Sequence, residues 1–397
     1  MRKRASSILV ILSIMAVFTL AQSPAVISPA LNSLAQFYSG IPYSTVLLLS
    51  TSISLAAIPC STLAGAVAGK KISYRVLTIA AMLCVLLGGI LPFWVMDSFA
   101  AVLICRLMLG IGVGIASPLS SALIMRLLPQ EKQAVWQGIC SAVMNICGVL
   151  YQSVSGVICT FDVRYTWLVY GIVLLPLALV LLFLPEPDKE NAAAKKAEKA
   201  KPQKTRLSAE TFWTCVGFGV LFLLTAPLLL NISSILVREG LGTAATAGTI
   251  LSAYSIGGMA AGFCFGKVFR LLQKKFIPVS LILQTLGLAL AAFSGNTALL
   301  ALGTVIVGVT IHWIWPACIM EFSTLPSSEG TLASGLFISC MHLGNFLATP
   351  MIGAIAALGN DSPRLPVIAG CIGTAAVSAL WMLLLHRKEQ KRLSANT

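Results

Sequence analysis

Twelve predominantly apolar runs of about 17 to 27 residues fill this chain, and runs of that length in such number fit a fold that crosses a bilayer repeatedly. In the first half they are Ile8–Ala30, Ser44–Ala68, Val76–Met96, Phe99–Met125, Ala134–Cys159 and Tyr165–Leu184. In the second they are Phe212–Val237, Thr243–Gly266, Ile277–Phe293, Ala298–Met320, Thr331–Ala356 and Leu365–Leu385. At a rise of about 1.5 Å per residue, each helix spans a hydrocarbon core of about 30 Å with tilt or slight thinning at the extremes. With 57% hydrophobic and only 10% charged residues, the chain cannot hide its apolar surface inside a water-soluble globule.

The net charge of +14 invites a nucleic-acid reading, and the placement of the charges excludes it. Of the 27 Lys and Arg, 23 fall at the two termini or in alternate connections, on one side of the zigzag. They include Arg2 to Arg4, Lys70, Lys71, Arg75, Arg126, Lys132, the cluster from Lys189 to Arg206, Lys267 to Lys275, and Arg387 to Arg392. Arg164, Arg238 and Arg364 occupy the opposite connections, and Arg106 lies inside a run. The bias places both termini in the cytoplasm of a multi-pass protein of the cytoplasmic membrane. It leaves no folded basic domain that could read nucleic acid.

Arg2 to Arg4 ahead of an apolar stretch imitates a secretory signal, but that stretch is long for a signal core. Its removal would break the charge alternation. The eleven cysteines sit in or at the edges of apolar runs, with no disulfide framework or zinc spacing, so no metal or cofactor is expected.

An offset of 197 residues superposes Gly65, Gly69 and Lys70 on Gly262, Gly266 and Lys267, and Leu128 and Pro129 on Leu325 and Pro326. Gly138 and Gly156 fall on Gly335 and Gly353; four of the ten glycines between 65 and 156 thus meet glycine, where composition predicts fewer than one. Two homologous six-helix bundles follow, residues 1–184 and 207–397, joined by a solvated, Lys- and Ala-rich linker over 185–206. Six crossings return the chain to its starting side, so the halves share one orientation.

The local motifs fit one family. Gly65-Ala-Val-Ala-Gly69-Lys70 resembles the loop signature between helices two and three of the major facilitator superfamily, and Leu103 to Gly114, with Arg106, Gly110, Gly112 and Gly114, resembles its fourth-helix motif. Leu128-Pro129-Gln-Glu131-Lys132 and Glu329 to Gly335 are similar to its segments before helices five and eleven. The resemblance implies an all-helical membrane fold of twelve spans and transport by alternating access. Two positions depart from the family: Gly69 stands where its loop carries aspartate, and Ile72 where it carries glycine. The family's cytoplasmic charge lock keeps Lys70, Lys71, Arg75 and Arg126 here without that acid, so it must use Glu131, Glu321 or another acid, or be weaker. The fifth helix also lacks the Gly-Pro pair of the drug/proton antiporters that this chain resembles.

A charge inside the hydrocarbon costs about 2.5–3.5 kcal/mol on insertion scales, so it sits against protein or a wet cavity. Arg106 lies about 10 Å into the fourth helix. Two readings stand: a packing arginine satisfied by carbonyls and polar neighbours, or a cation lending positive potential to a solute cavity. No carboxylate lies at mid-membrane, so proton coupling would lean on His312, His342 or Glu321 at the margin. Along helix five, Ser141, Asn145, Gly148, Gln152 and Ser155 form one polar or small face. The 197-residue offset carries Asn145, Gly148 and Gln152 to His342, Asn345 and Thr349, so polar stripes recur at equivalent places and suggest cavity walls. His312-Trp313-Ile-Trp315-Pro316 adds a proline that can bend a gate and indoles that can stack on a ligand. Gln22, Ser23, Asn231 and Ser234 are further candidates.

The expectation is a secondary transporter, acting as a monomer in membrane lipid, for a small organic solute, neutral or anionic, with the proton as candidate coupling ion. The rivals are efflux of amphipathic drugs, a transport-silent sensor, and a membrane enzyme. The sequence offers the enzyme reading no nucleophile–base pair, phosphate loop or metal cluster.

Overall fold

A computed structural model describes residues 2–69, 71–187, 207–323, 327–358 and 362–395. The apolar runs become twelve helical spans, α1 (Ile8–Phe37), α2 (Leu48–Val67), α3 (Tyr74–Ile90), α4 (Phe99–Leu127), α5 (Gln130–Cys159) and α6 (Val163–Phe183). The second set is α7 (Ala209–Arg238), α8 (Ala244–Leu272), α9 (Phe276–Ala292), α10 (Thr297–Ser323), α11 (Ser327–Ala357) and α12 (Leu365–Ala395). Eleven are long and apolar enough to cross a bilayer, and α9, at 17 residues, meets the lower limit. The linker residues 188–206, with Lys70, Leu325, Pro326 and Asp361, lie outside the described residues.

Three ends run about six or more residues past the sequence expectation. α1 continues through Leu31–Phe37, α8 reaches Leu272, and α12 carries its helix into the basic tail as far as Ala395. Apolarity marks where a helix lies in lipid, whereas backbone hydrogen bonding carries it on into the polar zone.

Contacts divide the chain into two units, Met1–Ser208 with Ala244–Thr249, and Ala209–Thr243 with Ile250–Thr397. Within the first unit the main partners are α2 with α4, α3 with α4, α1 with α5, and α6 with both α1 and α3. Within the second, α9 packs on α10, α7 on α11, and α12 on both α7 and α9. Add six to each helix number of the first set and most of the second set results, so the repeat in the sequence is a repeat in packing. Small residues set the closest approaches. A Cβ on Gly110 or Gly114 would stand 2.5 or 2.6 Å from the carbonyl oxygens of Ile53 and Ala57 in α2. In lipid, where apolar burial gives helices little preference for each other, such backbone approach is a main source of cohesion.

The first unit departs from regularity at Thr19–Ala30, where α1 is wound as a 3-10 helix containing Pro24 and Pro29. Neither proline can donate a backbone hydrogen bond, and carbonyls in this stretch are left to find side-chain partners. α7, the corresponding helix of the second unit, runs as 30 residues of α-helix despite Pro227.

Candidate functional site

Arg106 is wholly buried on α4, and its planar head is divided among three helices. Nε donates to Leu49 O of α2 at 2.6 Å, Nη1 to Tyr170 Oη of α6 at 2.6 Å, and Nη2 reaches Pro24 O of α1 at 3.5 Å. Tyr170 Oη in turn donates to Ser23 O at 3.0 Å. The guanidinium carbon lies 5.8 Å and 5.7 Å from the ring centroids of Trp167 and Tyr170, so aromatic faces stand in for part of its lost hydration. The 3-10 stretch of α1 explains the arrangement. Leu20 O is taken by Ser23 Oγ at 2.7 Å, Ser23 O by Tyr170, Pro24 O by Arg106, and Val26 O by Ser155 Oγ of α5. Val26 O, which Pro29 cannot serve, accepts from Ser155 instead, and Ser23 O and Pro24 O gain side-chain donors from α6 and α4.

The α5 stripe is largely buried. Asn145 and Gln152 are buried, Gly148 and Ser155 likewise, and Ser141 is half-buried, donating to Gln137 O at 2.9 Å. Asn145 Nδ2 donates to Ser141 O at 3.0 Å, while its Oδ1 is enclosed without a hydrogen-bond partner. Gln22 is half-buried on the 3-10 stretch.

In the second unit, Asn231 and Ser234 of α7 are fully buried. Asn231 Nδ2 donates to Pro227 O at 2.8 Å, the carbonyl of the helix-interior proline, and Asn231 Oδ1 and Ser234 Oγ have no hydrogen-bond partner. His342 and Asn345 are half-buried on α11, with Thr349 buried one turn beyond. His312 Nδ1 donates to Gly308 O at 2.7 Å, and its ring occupies a notch at Gly258 of α8, where an added Cβ would meet Nδ1 at 2.5 Å. Trp313 Nε1 donates to Ala261 O at 3.0 Å, tying α10 to α8. His312 and Trp313 therefore both act as α8–α10 packing contacts.

At the end of the first unit that carries the loop signature, Gly69 has φ +67, a left-handed turn, and a Cβ there would strike the Tyr74 ring. Arg126 lies 4.8 Å from the centroid of that ring. Glu186, just after α6, accepts from the backbone N–H groups of Tyr74 and Arg75 at 2.8 Å each, and Arg75 Nη2 donates to Leu181 O at 2.6 Å. Glu186 thus caps the positive N-terminus of α3. Gly65, four residues before Gly69, and Glu131, five after Arg126, are exposed, and Glu321 falls in the last turn of α10.

Sequence reasoning missed Tyr170, which nothing distinguished from other aromatics in α6, and Glu186, whose only signal was its place directly after an apolar run. It also missed Gln284 on α9, fully buried with Nε2 donating to Thr225 Oγ1 of α7 at 2.6 Å and Oε1 unpartnered. Among the described residues, no cluster of His, Cys, Asp or Glu could hold a metal ion.

Comparison with known proteins fits this architecture. A probable sugar efflux transporter of Mannheimia succiniciproducens is 23% identical over 343 residues, covering 85% of this chain and 82% of its own. The quinolone resistance protein NorA of Staphylococcus aureus is 23% identical over 311 residues, covering 75% and 77%. Among solved folds, the inward-open xylose transporter XylE from E. coli superposes with a TM-score of 0.73 at 16% identity, over 94% of this chain and 95% of that one. The human organic anion transporter MFSD10 gives 0.68 at 14% identity, over 94% and 98%. The sequence pattern that describes the Major Facilitator Superfamily matches residues 7–237 and again 214–396, so two overlapping matches take in nearly the whole chain. The chain is a multi-pass membrane transporter that belongs to the Major Facilitator Superfamily.

Proposed function

We propose that the protein moves a small, neutral, polar organic solute by alternating access, with both termini on the cytoplasmic side and residues 1–184 and 207–397 as its two halves. The observation that carries this reading is the state of the buried polar groups. Asn145 Oδ1 in the first unit, and Asn231 Oδ1 and Ser234 Oγ in the second, are enclosed without partners. An enclosed polar atom without a partner costs about 1–3 kcal/mol, a cost that solute hydroxyls or water would relieve. Arg106, the cation the sequence places in a span, is wholly buried and gives three of its five N–H donors to Leu49 O, Tyr170 and Pro24 O, which limits what it offers an anionic solute. No Asp or Glu lies mid-span to select a cation. The sugar efflux relative is consistent with a hydroxyl-rich solute.

Solute exchange in proteoliposomes, with a panel of neutral polyols and sugars, organic anions and cationic amphiphiles, tests the reading. Exchange of a neutral solute should fall at least about fivefold in Asn145→Leu and Asn231→Leu, because each removes an acceptor worth about 1–3 kcal/mol. Exchange of organic anions alone would refute it. Repeating the assay with and without a pH gradient decides whether the proton couples.

A second reading, efflux of amphipathic compounds, has its own observation. In the second unit Trp315 packs 5.1 Å from Phe337 and 6.5 Å from Phe222, ring centroid to centroid, an aromatic group suited to flat apolar ligands. The NorA relative lends it weight. Exchange confined to the cationic amphiphiles would favour it.

A further inference from the structure

Away from the polar stripes, the second unit has a shallow apolar crevice, open to the surface, between α7, α9 and α12. Gly217 and Leu221 of α7, Ile277 and Leu281 of α9, and Val377 and Trp381 of α12 line it. The lining is apolar, and a Cβ on Gly217 would meet nothing within 4 Å, so the missing side chain helps open the crevice. An apolar furrow on a membrane helix bundle is filled by whatever hydrocarbon abuts it.

The ends of these helices indicate which lipid that is. Ile277 lies two residues after Lys275, which is exposed at the head of α9, and the preceding helix ends in exposed Lys267 and Arg270. No Asp or Glu occurs between Gly240 and Met320. The acid in the neighbourhood along the chain is Glu210, in the first turn of α7, about two turns before Gly217. Trp213, one turn from Gly217, is 67% exposed, as expected of an indole at the headgroup level of a bilayer. The crevice therefore reaches the end of α9 that carries exposed Lys275.

We propose that this crevice is a binding site for an anionic phospholipid, one acyl chain lying along Gly217, Leu281 and Val377 and the phosphate group meeting Lys275. A zwitterionic lipid would fill the furrow equally well but gain less from Lys275. Near a membrane surface each basic residue contributes roughly a fivefold preference for an anionic headgroup.

The test uses the full chain purified in neutral detergent and titrated with phosphatidylglycerol or with phosphatidylcholine of matched acyl chains. Lipid retention is read by native mass spectrometry and stabilisation by thermal unfolding, with inorganic phosphate as a third titrant. Wild type should retain phosphatidylglycerol several-fold better than phosphatidylcholine. Lys275→Gln should lose most of that preference, about fivefold, while still retaining both lipids. Gly217→Trp, which fills open space, should lose retention of both. Equal retention of the two lipids by wild type would overturn the proposal, as would unchanged retention by Gly217→Trp. Stabilisation by inorganic phosphate as large as that by the lipid would show a bare anion site and overturn it too. Lys275→Gln changes a surface residue, so its result stands even if Gly217→Trp does not fold.

Discussion

The two units repeat one packing plan but treat one position in opposite ways. In the first, α4 carries Arg106, whose head binds the 3-10 stretch of α1 through Pro24 O and Tyr170. In the second, the 197-residue offset puts Gly303 at that place on α10, where a Cβ would lie 2.6 Å from Gly287 O of α9. One unit spends the position on a buried cation that serves irregular backbone; the other removes the side chain so that two backbones can touch. The difference follows from α1 and α7. The 3-10 stretch of α1 holds two prolines and takes donors from its neighbours, whereas α7 keeps α-helical geometry throughout and lacks only the one backbone donor of Pro227. A duplicated fold can thus keep its helix pairs while dividing labour between its halves.

The largest expected effect tests that division directly. Arg106→Met should remove the side-chain hydrogen bonds to Leu49 O, Tyr170 Oη and Pro24 O and destabilise the protein by about 2–4 kcal/mol, with transport lost through α1. Thermal unfolding in detergent, compared with solute exchange, measures both. Tyr170→Phe should cost less, about 1–2 kcal/mol, since one hydroxyl is lost from the same network. If Arg106→Met is as stable as wild type, α1 does not depend on this arginine.

Gly303→Ala should cost about 1–3 kcal/mol by overpacking against Gly287, with no change in solute preference. A shift in preference there would mean that the second unit uses this position for more than packing.

The ion pairs at the ends of the units opposite Gly69 and Lys275 sharpen the comparison at smaller scale. Arg364 is held by both Glu239 oxygens, at 2.6 and 2.5 Å, and donates to Ala291 O, Ala292 O and Ser294 Oγ, with its side chain only 15% exposed. Arg164 meets Asp97 at 3.0 Å, and the aspartate is 81% exposed. Glu239→Gln should therefore lower stability by about 1–2 kcal/mol, and Asp97→Asn by less than about 1 kcal/mol.

The smallest effect is spectroscopic. Tyr38 Oη donates to Met96 O at 2.6 Å, and burial pushes its phenol up to about 12, with Asp97 adding to the rise and Arg164 opposing it. Because the folded value exceeds the unfolded one, this contribution is intact below about pH 10 and is lost as pH rises through about 12. Ultraviolet titration should show a late-ionising tyrosine, lowered by Asp97→Asn and raised by Arg164→Gln.

Much of this protein was legible in its residues because lipid simplifies the code. The twelve spans, the six-plus-six repeat and the family resemblance rest on local apolarity and glycine spacing, and the fold carries them with only the helix ends displaced. The α5 stripe was legible for the same reason, since Ser141 to Ser155 share a helical face whatever lies opposite. Arg106 was not. Its sequence showed that a buried cation needs partners, and the partners proved to be Leu49 O, Pro24 O and Tyr170 Oη, two of them carbonyls that every residue possesses. The Tyr74–Arg126 contact, the Glu186 cap and the His312 seat at Gly258 were hidden likewise. Sequence alone determined which segments enter the bilayer, because that depends on each segment's own transfer energy. Tertiary structure alone decided which polar groups are satisfied and which remain enclosed without partners, because hydrogen bonds act over about 3 Å between residues up to 147 positions apart.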